Sequence, residues 1–286
     1  MVFATGHRWP AIRSYLERIV AQTRVIGGEV VVFDSNGDAL PGELDGVVWV
    51  KAPRTDIFSM RAQGAMRATG EVVAYTEDHC EVAPDWCERI VRAHQEHPEA
   101  LAIAGAVVNG TDERVMDRAN FAIVHASNLP PLRHVPEEWV PSSANVSYKR
   151  DVIPPQIAHP GWLEYVYTRD LIRSGRLVVD DRIRVSHVQS HGLAGTIVNH
   201  YHAARSTAGL MTTLGPPLGR RAWVRAALAF PYRTLRHTIR TALGKPACGR
   251  RVYRLLAPMA LLACSGAVGA LIGGLAGTGD SPRRLR

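Results

Sequence analysis

Glu77, Asp78 and His79 stand side by side after the run Val72–Thr76, and Pro84-Asp85-Trp86 follows closely. Two carboxylates and an imidazole suit a divalent cation, and that cation would suit a diphosphate. Val72 to Thr76 are apolar or β-prone and follow Gly70-Glu71, which predicts a short buried strand. The triplet then leaves the carboxyl end of that strand, and a helix starts near Asp85-Trp86. In open α/β sheets ligands bind just outside the carboxyl ends of strands, so a charged ligand is expected here. A solvated acidic turn is the alternative that spacing alone leaves open. His187, His191, His200 and His202 invite a zinc reading, but HExxH is absent and no matching carboxylate follows.

The elements around the triplet alternate. Met1–Thr5 reads as a strand that is either clipped or continues from an upstream start. Over Trp9–Thr23, Ile12, Tyr15, Leu16, Ile19 and Val20 have the spacing of an amphipathic helix. Glu29–Phe33 is a β-branched run ending in the turn-forming Asp34-Ser35-Asn36-Gly37-Asp38, and Gly46–Val50 is a further strand. Ile57–Thr69 predicts a helix that stops at Gly70. After the triplet come a helix over Trp86–His97 and a strand over Leu101–Val108. This alternation gives a mostly parallel sheet of the nucleotide-binding α/β type. Beyond Asn109 the prolines at 130, 131, 136 and 141 predict a loop-rich insert. Ala144–Tyr148 then returns as a strand, Trp162–Ser174 as a helix, and Leu177–Val179 and Ile183–Val188 as two short strands.

At 286 residues the chain can bury one full-sized core. The four cysteines form no CxxC pair, which fits a reduced compartment, and no signal peptide is read at the start. The net charge of +8 is unevenly spread. Between Asp181 and Asp280 there is no Asp or Glu, while arginines recur throughout. Such a segment calls for a polyanionic partner, nucleic acid or an anionic membrane. Leu255–Gly277 is uncharged, of membrane-spanning length and flanked by arginines, which favours the membrane. Arg220–Leu243 reads as a basic amphipathic helix suited to the headgroup layer, with a kink expected at Pro231. No aromatic-studded groove, zinc finger or helix-turn-helix accompanies the arginines, so nucleic acid is not expected as a partner.

Several segments, taken in order, resemble a family 2 glycosyltransferase of the GT-A fold over roughly Met1–Ala208. Ala21-Gln22-Thr23 ends the first helix as in that family, and Val30–Ser35 is similar to the strand whose terminal Asp meets the nucleotide base. Ser59-Met60-Arg61-Ala62-Gln63-Gly64 with Ala68-Thr69-Gly70-Glu71 is similar to its "aRNxG…AxGE" helix. Glu77-Asp78-His79 stands at the place of its DxD motif. Asn145–Arg150 resembles its "NxsyrR" strand, Trp162-Leu163-Glu164 the start of its "ED" helix, and Val185-Ser186-His187 its late "VxH".

The resemblance implies an α/β GT-A sheet with flanking helices over 1–208. Residues 209–286 follow as basic amphipathic and hydrophobic helices that attach to the cytoplasmic face of a membrane, peripherally or as an anchor. It implies inverting transfer from a nucleotide-diphosphate sugar to a hydroxyl acceptor, assisted by Mn²⁺ or Mg²⁺. The basic helix, which would hold the active site at the headgroup layer, points to a lipid-linked or cell-envelope glycan as that acceptor. The leaving diphosphate needs cationic stabilisation, and the attacking hydroxyl needs a base. By the same resemblance Glu164 is that base. Thr5, Arg8, Asp34, Arg61, Glu77 and Asp78 bind the donor, Asp78, His79 and His187 hold the cation, and Asn145 and Trp162 lie on the acceptor side. The pattern also departs from the family. His79 replaces the second metal-binding Asp, Ala62 the Asn of "RN", and Leu163 the first acid of "ED". Imidazole suits manganese-like ions better than magnesium. The alternative that these departures raise is an inactive GT-A-like membrane scaffold or nucleotide-sugar-binding protein.

Overall fold

The computed structural model describes residues 1–286 except 37–44, 133–140, 155, 158, 190, 217 and 286. Gly37-Asp38 of the expected turn and Pro136 of the expected insert lie outside the described residues. By its internal packing the chain divides into two units. One comprises Met1–Val108 and Pro130–Val188, the other Asn109–Leu129 and Gln189–Arg286.

The first unit is built on an eight-stranded sheet of order β3-β2-β1-β4-β7-β6-β8-β5. Its strands are β1 (Val2–Thr5), β2 (Val30–Asp34), β3 (Val47–Lys51), β4 (Val72–Glu77), β5 (Cys80–Val82), β6 (Ala102–Asn109), β7 (Val146–Lys149) and β8 (Leu177–His187). The first four strands in the order pair in parallel, with Thr5 beside Asp34, Asp34 beside Lys51, and Ala4 beside Glu77. Their carboxyl ends therefore finish along one edge. Strand β7 runs antiparallel to β4 and β6, and β5 runs antiparallel to β8, so half of the sheet is mixed. The pairing of Cys80 with His187 carries the end of β8 back to the same edge. β1 and β2 are buried throughout, which is why they read as unbroken apolar runs.

Helices α1 (Trp9–Val25), α2 (Ile57–Arg67), α3 (Trp86–Glu96) and α5 (Thr168–Arg173) belong to this unit. The carboxylate of Asp56 accepts the Phe58 and Ser59 amides and so starts α2. Gly64 then lets α2 lie against β1, since a Cβ at that position would collide with Val2. The helix expected over Trp162–Ser174 begins as a π-helical turn, Leu163–Tyr167, and only then becomes α5. Thr168 supplies the local reason: its hydroxyl donates to the Leu163 carbonyl at 2.7 Å and receives the buried Tyr148 hydroxyl at 2.7 Å. The two strands expected at 177–188 are one. Asp180 takes the Arg182 amide at 2.9 Å and its guanidinium at 2.7 Å, so the charged stretch between the two expected strands is satisfied within the strand.

The second unit is helical: α4 (Val115–His125), α6 (Gly192–Leu214), α7 (Arg220–Leu243) and α8 (Leu256–Ala276). α4 corrects the expectation of an irregular insert after Asn109. Met116, Ala119, Ala122, Ile123 and Ala126 follow helical spacing and pack with Met259 and Leu262 of α8. α7 continues through Pro231. α8 lies against α6 with little room between backbones, because a Cβ at Gly269 or Gly273 would fall on the Tyr201 or Arg205 carbonyl. Ser265 adds a hydrogen bond to the Ile197 carbonyl at 2.7 Å. α8 is long and apolar enough to cross a membrane by length and composition, and only 33% of its most apolar stretch is buried.

Gly64→Ala tests the α2 seat. Overpacking there is expected to cost about 1–3 kcal/mol, read as a lower denaturant midpoint at unchanged slope. An unchanged midpoint would mean that the helix does not rest on Val2.

Candidate active site

The edge formed by the ends of β1, β2, β4 and β8 gathers most of the residues singled out in the sequence. Thr5, at the end of β1, donates its hydroxyl to Asp78 Oδ2 at 2.6 Å. His7 Nδ1 lies 2.7 Å from the same oxygen. Asp78 Oδ1 is 2.9 Å from His79 Nδ1. Burial alone would raise the Asp78 carboxyl, but the His7 and His79 hydrogen bonds and charges hold it far below the usual range. Asp78 is thereby committed to orienting its neighbours.

Glu77 and the two imidazoles converge instead. His79 Nε2 and His187 Nε2 face each other at 3.0 Å, and Glu77 Oε2 is 3.4 Å from each. The other Glu77 oxygen takes Arg61 at 2.8 Å and Ser143 at 3.0 Å. Burial works against the charge on Glu77, yet the hydrogen bonds from His187 and His79, with Arg61, keep its carboxyl well below the ordinary value. Burial also opposes charge on His79, but Asp78 and Glu77 outweigh it and raise the imidazole to about 9. His187 goes the other way, lowered first by burial and further by the charge of His79. Among the described residues, Glu77, His79, Cys80 and His187 bring ligand atoms within 4.8 Å of one another, a group that can hold a divalent cation. Asp78 Oδ1 fixes the ring of His79 so that its Nε2 faces the others, the arrangement expected of a metal-binding histidine.

Arg61 links this cluster to Glu164. From the second turn of α2 its guanidinium bonds Glu77, and its charge also acts on Glu164. Glu164 sits in the π-helical turn, whose Tyr165 ring meets Phe58 of α2 at 5.7 Å. Burial raises the Glu164 carboxyl, and Arg61 offsets only part of that. Two carboxylates thus flank one guanidinium, with one held low and the other high, a division suited to different roles.

The remaining candidates separate. Asp34 accepts Lys51 Nζ at 2.7 Å and Trp49 Nε1 at 3.3 Å beside the end of β1. Arg8 is exposed just before α1. Trp162 is half-buried and stacks on Tyr167, ring centroids 5.0 Å apart. Asn145, expected on the acceptor side, is turned into the sheet. Its Oδ1 accepts Trp86 Nε1 at 2.9 Å, and its Nδ2 donates to the Ala106 and Ile183 carbonyls. Gly105 makes the space, since a Cβ there would strike the Asn145 amide. Sequence reasoning passed over His7, Ser143 and Lys51. His7 and Lys51 follow or end strands at the binding edge, and that position was the available signal.

A sheet with this strand order, bearing acidic and imidazole side chains at its carboxyl edge, defines the GT-A class of α/β fold. The model of the family "Glycosyl transferase family 2" matches residues 4–153, and the chain belongs to that family. It is 28% identical over 155 residues to the glucosyl-dolichyl phosphate glucuronosyltransferase of Haloferax volcanii, covering 51% of this chain and 50% of the relative. The chain thus spans about half the length of this curated relative. Among solved structures it is similar to the mannosyltransferase PcManGT from Pyrobaculum calidifontis in complex with GDP-Man and Mn²⁺. The TM-score is 0.51 and the identity 16%, over 96% of this chain and 86% of that one. S. aureus TarS 1–349 with UDP-GlcNAc matches at a TM-score of 0.48 and 10% identity, over 93% and 89% of the two chains.

Asn145→Leu keeps the volume but strands Trp86 Nε1 and two carbonyls in the sheet. Its unfolding free energy is expected to fall by about 2–4 kcal/mol. A variant as stable as the parent would show that the amide is no strut.

Proposed function

We propose that the chain is an inverting glycosyltransferase that moves a hexosyl unit from a nucleoside-diphosphate sugar to a hydroxyl acceptor. The observation that carries this is Arg61, which bonds the ionised Glu77 and whose charge also reaches the raised carboxyl of Glu164. In the reaction Glu164 takes the acceptor's hydroxyl proton as that oxygen bonds to the anomeric carbon. The bond from that carbon to the diphosphate breaks on the opposite face, and the nucleoside diphosphate leaves with the electron pair. Arg61 stabilises the charge that develops on the leaving group. Glu77, His79 and His187 would hold a divalent cation, which supplies further stabilisation of the diphosphate when bound. Thr5, Arg8 and Asp34, at or next to the ends of β1 and β2, serve the nucleotide, and Trp162 serves the acceptor.

The acceptor is a lipid-linked glycan, and the chain works at the cytoplasmic face of a membrane. Support comes from the second unit. Among the described residues, its α7 exposes Leu228 and Tyr232 beside Arg225, Arg233 and Arg236, and its α8 exposes Leu261, Val268 and Leu275. Apolar side chains interspersed with arginines, without acids, match an anionic headgroup layer. The relative from Haloferax volcanii is itself named for a dolichyl-phosphate-linked glucosyl compound.

Glu164→Gln is expected to lower kcat by about 10²–10⁴-fold while donor affinity is kept. Retained turnover would remove Glu164 as the base. In the parent, the acidic limb of kcat/KM is expected above the usual carboxylate range, because the base must be ionised and burial raises it. Arg61→Met removes the charge that lowers the Glu164 carboxyl, so the limb should move to higher pH; a limb that stays or falls contradicts the pairing. The full-length chain should float with vesicles containing anionic lipid and be released by salt. Equal binding to neutral vesicles at every ionic strength would contradict the role of the arginines.

A further inference from the structure

Glu164 sits in a turn whose width is fixed from outside it. The Thr168 amide bonds the Leu163 carbonyl five residues back, the wide closure of a π-turn. The Thr168 hydroxyl donates to that same carbonyl at 2.7 Å. A hydroxyl has one proton to give, so in its 2.7 Å contact with Tyr148 the tyrosine is the donor. Tyr148 lies on β7, and its ring meets that of Tyr75 on β4 edge to face, with centroids 6.0 Å apart. Tyr75 in turn donates its hydroxyl to the Arg61 carbonyl at 3.2 Å. Two tyrosines of neighbouring strands thus brace both the helix that carries Arg61 and the turn that carries Glu164. Burial raises both tyrosine hydroxyls and the charge of Glu164 adds to it, so the carboxylate lies near them.

The burial pattern shows what the wide turn does. Leu163, Thr168, Leu171 and Ile172 are buried together, while Glu164 keeps part of its surface open. In an α-helix, positions five apart diverge by about 140° round the axis, so Leu163 and Thr168 would face different ways. The extra residue in the turn brings them into line. If the turn closed as an α-helix with Leu171 and Ile172 still seated, Glu164 would swing round the axis by about 100°.

We infer that Thr168 and Tyr148 are positioning residues that hold the Glu164 carboxylate toward the acceptor hydroxyl by keeping this turn wide. Both are buried and act through Glu164. The inference rests on the reading of Glu164 as the base, and it adds the two hydroxyls that aim it.

Crystal structures of the parent, Thr168→Val and Thr168→Ser are compared. Release of nucleoside diphosphate is followed from GDP-mannose and UDP-N-acetylglucosamine, with water standing in for the acceptor hydroxyl. Thr168→Val keeps the volume but has no hydroxyl. It is expected to close the turn, to rotate Glu164 away, and to lower kcat about 10²-fold at unchanged donor KM. Thr168→Ser should restore the turn and most of the turnover, and Tyr148→Phe should lower kcat by less than Thr168→Val. In a Glu164→Gln background Thr168→Val should cost nothing further, because a residue that acts only through Glu164 then has nothing to position. Circular dichroism confirms that each variant is folded, and if Thr168→Val does not fold, Tyr148→Phe replaces it in every comparison. A Thr168→Val structure with the turn and the Glu164 carboxylate where the parent has them overturns the positioning role and leaves the base reading standing. A further loss of about tenfold in the Glu164→Gln background does the same. Turnover retained in Glu164→Gln removes the base and this inference together. If the parent releases diphosphate from neither donor, the comparison of structures decides alone.

Discussion

Glu77 is a carboxylate withdrawn from water, and it remains ionised because Arg61, His79 and His187 surround it. Isolated, such a buried charge would be costly; with three cationic or hydrogen-bonding neighbours the site holds it without protonation. Much of the first unit can be read as what keeps those neighbours in place. Gly64 seats the helix that carries Arg61, the β5–β8 pairing brings His187, and Asp78 fixes His79. The registers of β1, β2 and β4 bring Thr5, Asp34 and Glu77 to one edge, so their convergence is a property of parallel pairing.

Glu164 depends on the same arrangement from the other side. A regular α-helix from Trp162 would place successive side chains by a different rotation than the π-helical turn that Thr168 and Tyr148 stabilise. Widened turns of this kind often occur at functional positions. Here the turn leaves a carboxyl that burial raises, near an arginine whose other face is spent on Glu77. The pair therefore divides its work by environment, since both members are glutamates.

Much of this was legible in the chain. The apolar runs of β1, β2 and β4 and the period of α1 follow from burial, which acts on residue type directly. Glu77-Asp78-His79 was visible as a group. Which member turns toward His187 was not, because Thr5 and His7, more than 70 residues earlier, claim Asp78. Asn145 shows a related limit: an amide at a strand's start suits either a ligand or a buried post, and its bond to Trp86 and the space left by Gly105 come only from the fold. α4 was hidden by the prolines that follow it and by its alanines, whose small apolar faces give a weak periodic signal. The continuity of β8 was masked by Asp180-Asp181, charges that the strand satisfies locally through Arg182.

The most direct measurement is a crystal structure of the chain with an unreactive nucleoside-diphosphate sugar bound. The diphosphate is expected over the Glu77–His79–His187 edge, with the Glu164 carboxylate facing the anomeric carbon from the side opposite the leaving oxygen. A donor seated away from that edge, or a Glu164 carboxylate on the same side as the diphosphate, would contradict the account.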